Sequence, residues 1–181
     1  MRNILMATAA LLLVASPAAA VEEGWYFGAG VGGNYVHDGD VEGAGLNTEA
    51  EYDWGLAGQG SVGYKYGNGI RSELEFGYRE NDFDEIGGAS AAGDVKTMTA
   101  MLNALYDFDF ADSGFGAHVG IGGGVARIDM NGVGLSGSPA LVDDKDTVPA
   151  AQAIVGADYA LSHAVDLYAN YQYLHAFNPE F

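Results

Sequence analysis

The chain has no cysteine, so a disulfide framework, a thiol nucleophile and a Cys-ligated metal are all closed to it. Positive charge is scarce: seven Lys and Arg stand against 25 Asp and Glu in 181 residues, a formal net charge of −18. So acidic a surface repels nucleic acid, and no basic patch offsets the repulsion. Long apolar runs are also missing. Beyond residue 20 nothing approaches the roughly 20 continuous apolar residues of a membrane helix. If the chain crosses a bilayer it does so as a closed barrel, the other structure that satisfies every backbone polar group in hydrocarbon.

What is present begins with residues 1–20, MRNILMATAALLLVASPAAA. One basic residue, an apolar run over residues 4–14 and the small-residue end Ala18-Ala19-Ala20 have the layout of a secretory leader, too short to span a membrane. The mature chain is expected to start at Val21, and residues 21–181 then form a single domain. Twenty-eight Gly, eleven Tyr and eight Phe disfavour helices and suit twisted, half-buried strands.

Strict alternation recurs in seven segments. The clearest sets Ile70, Leu74, Phe76 and Tyr78 against Arg71, Glu73, Glu75 and Arg79. Others set Trp25, Phe27, Ala29, Val31 and Tyr35 against Gly28, Gly30, Gly32 and Asn34, and Phe115, Ala117, Val119, Ile121 and Val125 against Gly116, His118, Gly120, Gly122 and Gly124. In none of the seven does the apolar face carry a charge, as lipid exposure would require: an Arg or Lys at mid-bilayer costs roughly 2–4 kcal/mol. The inward glycines make room in an interior only just wide enough for side chains.

Alternation also fits a water-soluble carrier of the lipocalin kind, with the apolar face turned inward. Connection lengths favour the membrane. Residues 36–51, 80–95 and 129–147 read as long loops, whereas 67–69, 109–114 and 162–164 read as short turns. Outer-membrane barrels show this asymmetry, with tight periplasmic turns and extended outer loops. Aromatic residues gather at both ends of the strands. Trp25, Phe27, Tyr64, Tyr66, Tyr106, Phe108, Phe115 and Tyr159 lie toward the short turns, and Tyr35, Trp54, Phe76, Tyr78, Tyr171 and Tyr173 toward the long loops. They are expected to form two interfacial girdles.

The leader, the opening GWYFGAGVGGNY, the pair GYKYGNGIRSELEFGYR, the segment ALYDFDF and the run YANYQYLHAF resemble the eight-stranded outer-membrane β-barrel family that includes the barrel domain of OmpA. The resemblance covers essentially the whole mature chain. It implies an antiparallel up-and-down transmembrane barrel in a bacterial outer membrane, contact with outer-membrane lipid and lipopolysaccharide, and handling by the outer-membrane assembly machinery. Family members close with an eighth strand ending in an aromatic residue. Here only seven are counted, the first and seventh run the same way, and HAFNPEF, with Pro179 and no alternation, does not make the eighth. The C-terminal strand is therefore expected to be missing.

Within the barrel, Lys65, Arg71, Glu73, Glu75, Arg79, Asp158 and Asp166 are expected to face one another as a lumenal ion-pair cluster that fills the interior; the resemblance also implies a gate in a narrow pore. The loop residues Asp38, Asp40, Glu42, Glu49, Glu51, Asp53, Asp82, Asp84 and Glu85 offer a surface for divalent cations near lipopolysaccharide or for an unidentified extracellular ligand, although no spacing forms a calcium loop. Gly28, Gly30 and Gly33 match a dinucleotide-binding pattern by accident, since no helix follows. The candidates for lipid chemistry at the membrane surface are His37 beside Asp38, His118, Ser162 with His163, and His175. None forms a credible site, and no catalytic residue, metal or cofactor is expected. The reading is a non-enzymatic barrel with a structural or surface-interaction role, with a narrow pore as the alternative and a lipid-modifying enzyme third. The full-length gene tests the strand count: an in-frame segment of about ten alternating residues ending in an aromatic is expected after Phe181.

Overall fold

The computed structural model describes residues 4–15, 23–37, 41–43, 46–48, 50–52, 55–86, 89–110, 113–135, 142–162 and 165–177. These form β1 (Ile4–Ala15), β2 (Gly24–His37), β3 (Val41–Gly43), β4 (Leu46–Thr48), β5 (Ala50–Tyr52), β6 (Gly55–Lys65), β7 (Ile70–Ile86), β8 (Ala89–Asp109), β9 (Phe115–Leu135), β10 (Val142–Ser162) and β11 (Val165–Ala176). The seven expected segments are β2 and β6 to β11, all pairing antiparallel with their chain neighbours. With β1 they close into an up-and-down barrel in the order β1-β2-β6-β7-β8-β9-β10-β11.

The eighth seat is filled from the N-terminal side. β1 lies between β2 and β11, antiparallel to both, with Leu11 opposite Val31 on one side and Ala169 on the other. A parallel seam between β2 and β11 is thereby avoided. Pairing needs only backbone N–H and C=O groups, and residues 4–15 contain no ionisable side chain, so the seat accepts them without placing a charge in lipid.

Two of the long connections differ from the sequence expectation. Where residues 80–95 and 129–147 read as loops, β7 and β8 stay paired from Glu80 opposite Lys96 to Ile86 opposite Ala89, and β9 and β10 stay paired out to Val133 opposite Val142. These polar stretches lack the apolar alternation that marks a membrane strand, yet two antiparallel strands need only a short turn to continue their ladder into water. The remaining long connection holds the small β3–β4 hairpin and β5, which pairs with the end of β7. At the opposite end the turn between β6 and β7 is tight. Gly69 and Gly114 adopt φ of 82° and 72°, a region that costs a glycine little. Tyr66 N–H donates to the Ile70 carbonyl at 2.8 Å across the first turn.

Orientation decides the solvent of each face. Phe76 and Val119 are 57% and 47% exposed on the outside, whereas Glu75 and His118 are each 1% exposed in the interior. In β2 and β6 to β11 the uncharged face, as far as Val125 in β9, therefore points outward, into hydrocarbon. Inside, glycine yields to the long side chains of neighbouring strands. A Cβ on Gly156 would lie 2.5 Å from His118 Nε2, and one on Gly116, Gly120, Gly122 or Gly124 would press on Asp158, Leu105, Asn103 or Met101 respectively. Gly63, beneath Tyr26, was not singled out by the sequence reading and does the same.

Val155 stands outward near the middle of β10. Val155→Arg is expected to destabilise the barrel by about 2–4 kcal/mol, read as a shift in the denaturant midpoint in lipid bilayers.

Candidate functional site

Inward positions of facing strands meet in rows across the lumen, and the polar groups in these rows form three linked clusters. Nearest the short turns, Lys65 Nζ lies 3.7 Å from Asp166 Oδ2, and both side chains are partly exposed at the mouth. Opposite Lys65 on β7, the Arg71 guanidinium lies over the rings of Tyr26 and Tyr168, 5.5 and 5.1 Å from their centroids, with its Nε 2.9 Å from Asp107 Oδ1. Beside it His118 presents Nδ1 to Asp158 Oδ1 at 3.3 Å and Nε2 to Asn170 Oδ1 at 2.8 Å. Two opposed rings stabilise a guanidinium through their π faces, and an adjacent carboxylate balances its charge away from bulk water.

The second cluster centres on carboxylates at mid-depth. Glu73 accepts hydrogen bonds from the Tyr26 hydroxyl at 2.9 Å and Asn103 Nδ2 at 3.3 Å. Glu75 is buried and accepts from Asn103 Nδ2 at 3.3 Å, Gln152 Nε2 at 3.2 Å and Gln172 Nε2 at 3.1 Å. The donors come from β8, β10 and β11, so one carboxylate on β7 ties together strands from across the barrel. Arg79 completes the third cluster by donating Nη2 to Gln172 Oε1 and Nη1 to Thr99 Oγ1, each at 3.2 Å. Towards the hairpin end, Asn34 Nδ2 donates to Asn81 Oδ1 at 2.5 Å. A buried charge is tolerated only when paired or fully hydrogen-bonded, and these clusters supply such partners.

All seven residues of the expected lumenal cluster lie on the inward register, but their partners differ from a simple mutual pairing. Lys65 and Asp166 meet each other, and Glu75 is linked to Arg79 through Gln172. Arg71 meets Asp107, which the sequence reading left out of the cluster, and Asp158 meets His118. Tyr26, Tyr168 and the amides Asn103, Gln152 and Gln172 were missed as well. The signal for each was its place on the inward side of an alternating segment. What sequence cannot supply is which strands stand opposite one another across the lumen.

Of the expected girdle, Trp25, Phe27, Tyr66, Phe76, Tyr78, Tyr106, Phe108, Phe115, Tyr159, Tyr171 and Tyr173 are exposed on the outer face, while Tyr35 and Tyr64 are half-covered. Trp54 lies outside the described residues. Near the short turns the rings pack on one another: Trp25 with Tyr64 at 5.4 Å, Tyr106 with Phe108 at 5.0 Å and Phe115 with Tyr159 at 4.6 Å. Of the histidines weighed for catalysis, His175 packs on Phe177 at 4.5 Å, and His163 lies outside the described residues. Asp38, Asp40, Glu49 and Asp53 lie outside them too. Among the described residues no group of three or more His, Asp or Glu is placed to hold a metal.

A closed barrel with a charged, cross-braced interior, an uncharged outer belt and aromatic residues at its rims defines a transmembrane protein of the bacterial outer membrane. The profile of the outer membrane protein beta-barrel domain family matches residues 6–180, and the chain belongs to that family. It is 28% identical over 197 residues to an outer membrane protein of Gluconacetobacter diazotrophicus, with 96% of the chain aligned; the chain spans about half the length of that curated relative, 52%. Among solved structures it is similar to Neisserial surface protein A, at 17% identity and a TM-score of 0.45 with 96% of each chain covered. It is also similar to Ail, the attachment invasion locus protein of Yersinia pestis in complex with the heparin analogue sucrose octasulfate, at 9% identity and a TM-score of 0.40 with 97% of each chain covered.

Removing one partner of the Arg71–Asp107 pair leaves the other charge buried. Arg71→Met is expected to cost about 3–5 kcal/mol, and Arg71→Met with Asp107→Asn less than the sum of the two single changes. Equilibrium unfolding in detergent or bilayers measures the cycle.

Proposed function

We propose that the barrel is a non-enzymatic membrane anchor with a structural or surface-interaction role, and that its working surface is the hairpin end facing the cell exterior. The observation carrying this reading is the mid-depth brace. Glu75 and its three amide donors span the lumen from β7 to β8, β10 and β11, and the Tyr26–Arg71–Tyr168 stack lies one level below. These two layers of bonded and stacked side chains are what supports reading the interior as filling rather than as a passage for solutes. The narrow pore is the competing reading, and an enzyme comes third, because the buried His118 is engaged by Asp158 and Asn170 inside the barrel, away from any lipid ester. Acidic residues along the outer connections select cations, free or bridging to anionic lipopolysaccharide, over polyanions.

The same reading treats residues 1–20 as a leader removed on export. β1 then holds the seat between β2 and β11 only while the leader is attached. Intact mass of protein extracted from outer membranes tests this. The expected N-terminus is Val21, and a chain retaining residues 4–15 overturns it.

Conductance in planar bilayers tests the plug. The folded protein is expected to give no step-like openings, while Glu75→Ala with Arg71→Ala, which strips both layers, is expected to produce them. Regular openings of the unaltered protein establish the pore instead.

A further inference from the structure

The outer wall is not uniformly convex. A groove of about 1010 Å³ crosses the lipid-facing side of β2, β6, β7, β8 and β9 near the short turns. Register places its lining in two rows: Trp25, Tyr64, Ser72, Ala104 and Ile121 opposite one another in turn, then Val62, Leu74, Leu102 and Gly123. Small Ser72 and Ala104 form the floor. Leu102 and Ile121 stand up on one side, 69% and 71% exposed, while Val62 and Leu74 are half-covered. The other wall is rigid, because Trp25, Tyr64 and Tyr66 pack edge to face at 5.4 and 5.1 Å. The Ser72 and Tyr66 hydroxyls share a hydrogen bond of 3.1 Å, and the polar residues Glu73 and Asn103, which also border the groove, are bonded to Tyr26 and Glu75 of the interior. The groove thus offers mostly apolar surface, and it is continuous with the belt that already faces hydrocarbon.

We propose that this groove seats one acyl chain of a periplasmic-leaflet phospholipid and that the adjoining rim favours an amine-bearing headgroup. The rim supplies the second half of the argument. Glu23 is exposed there, its Oε1 accepting from the Tyr64 hydroxyl at 3.0 Å, and Asp109 is exposed on the same end. The basic residues of this end, Lys65 and Arg71, are turned into the lumen towards Asp166 and Asp107. A headgroup above the groove therefore meets carboxylate, which attracts an ammonium and repels an anionic glycerol phosphate. The seat rests on the short turns being periplasmic, which follows from the barrel's topology, and it is independent of whether the lumen conducts.

The full chain is folded into nanodiscs of equal parts phosphatidylethanolamine and phosphatidylglycerol with matched acyl chains, and retained lipid is counted by native mass spectrometry. One phosphatidylethanolamine per barrel is expected, in roughly two- to fivefold excess over phosphatidylglycerol, the range of an exposed ion pair. Glu23→Gln is expected to abolish the headgroup preference while the lipid stays. Ala104→Phe fills the floor and is expected to remove the lipid, with folding confirmed by the heat-dependent shift in gel mobility; Ser72→Leu serves where Ala104→Phe does not fold. No retained lipid, equal retention of both lipids by the unaltered protein, unchanged preference in Glu23→Gln, or unchanged retention in the fillers overturns the proposal. So does a dimer mass that Ala104→Phe dissolves, which would assign the groove to a second copy of the chain.

Discussion

Every feature of this molecule depends on the absence of water in the bilayer core. A peptide group in hydrocarbon must find its partner within the protein, and a strand does so only when both neighbours are present. That requirement forces closure, and closure in turn makes two solvents out of one sheet. Successive residues of each strand alternate between lipid and lumen, so Glu73 and Glu75 can lie inside while Leu74 and Phe76 lie outside within four consecutive positions. β1 shows the same demand from another direction. The edges of β2 and β11 are satisfied by whichever strand stands between them, and backbone pairing places little demand on its side chains.

The lumen solves a different problem. Eight strands enclose a narrow interior, and several inward glycines lie beneath long side chains of neighbouring strands, as Gly63 does beneath Tyr26 and Gly156 beneath His118. Charges there would be costly alone, so they come with partners drawn from several strands. Arg71 combines two aromatic faces with a carboxylate, and Glu75 is served by amides that carry no charge of their own. Because each cluster joins strands far apart in sequence, the interior acts as a set of cross-ties. Barrel closure and lumen filling are therefore mechanically linked: loosening one layer of side chains relaxes strands on opposite walls.

Much of this was legible in the residues, and the reason is period. A two-residue alternation survives any uncertainty about strand ends, so the outward set from Trp25 to Tyr173 and the inward set from Gly28 to Gln172 follow from parity alone. The ends were less legible. Residues 80–86 and 89–96 carry no apolar alternation, and pairing beyond the membrane leaves no hydrophobic signature, so they read as loop. Cross-lumen partners were the least legible, because Gln172 on β11 lies 97 residues from Glu75 on β7 and meets it only through barrel closure. The seating of residues 4–15 could not be read at all: an unbroken apolar run has no alternation and suits a leader, a buried strand or both.

Facing, residue by residue, is the claim on which the rest stands, and the absence of cysteine makes it directly measurable. Single cysteines placed in turn from 115 to 121 and carrying a nitroxide are compared in bilayers for collision with dissolved oxygen and with a water-soluble nickel chelate. Oxygen accessibility is expected to peak at 115, 117, 119 and 121 and to fall at 116, 118 and 120. The opposite phase, with positions 116, 118 and 120 meeting the lipid-dissolved oxygen, would contradict the account.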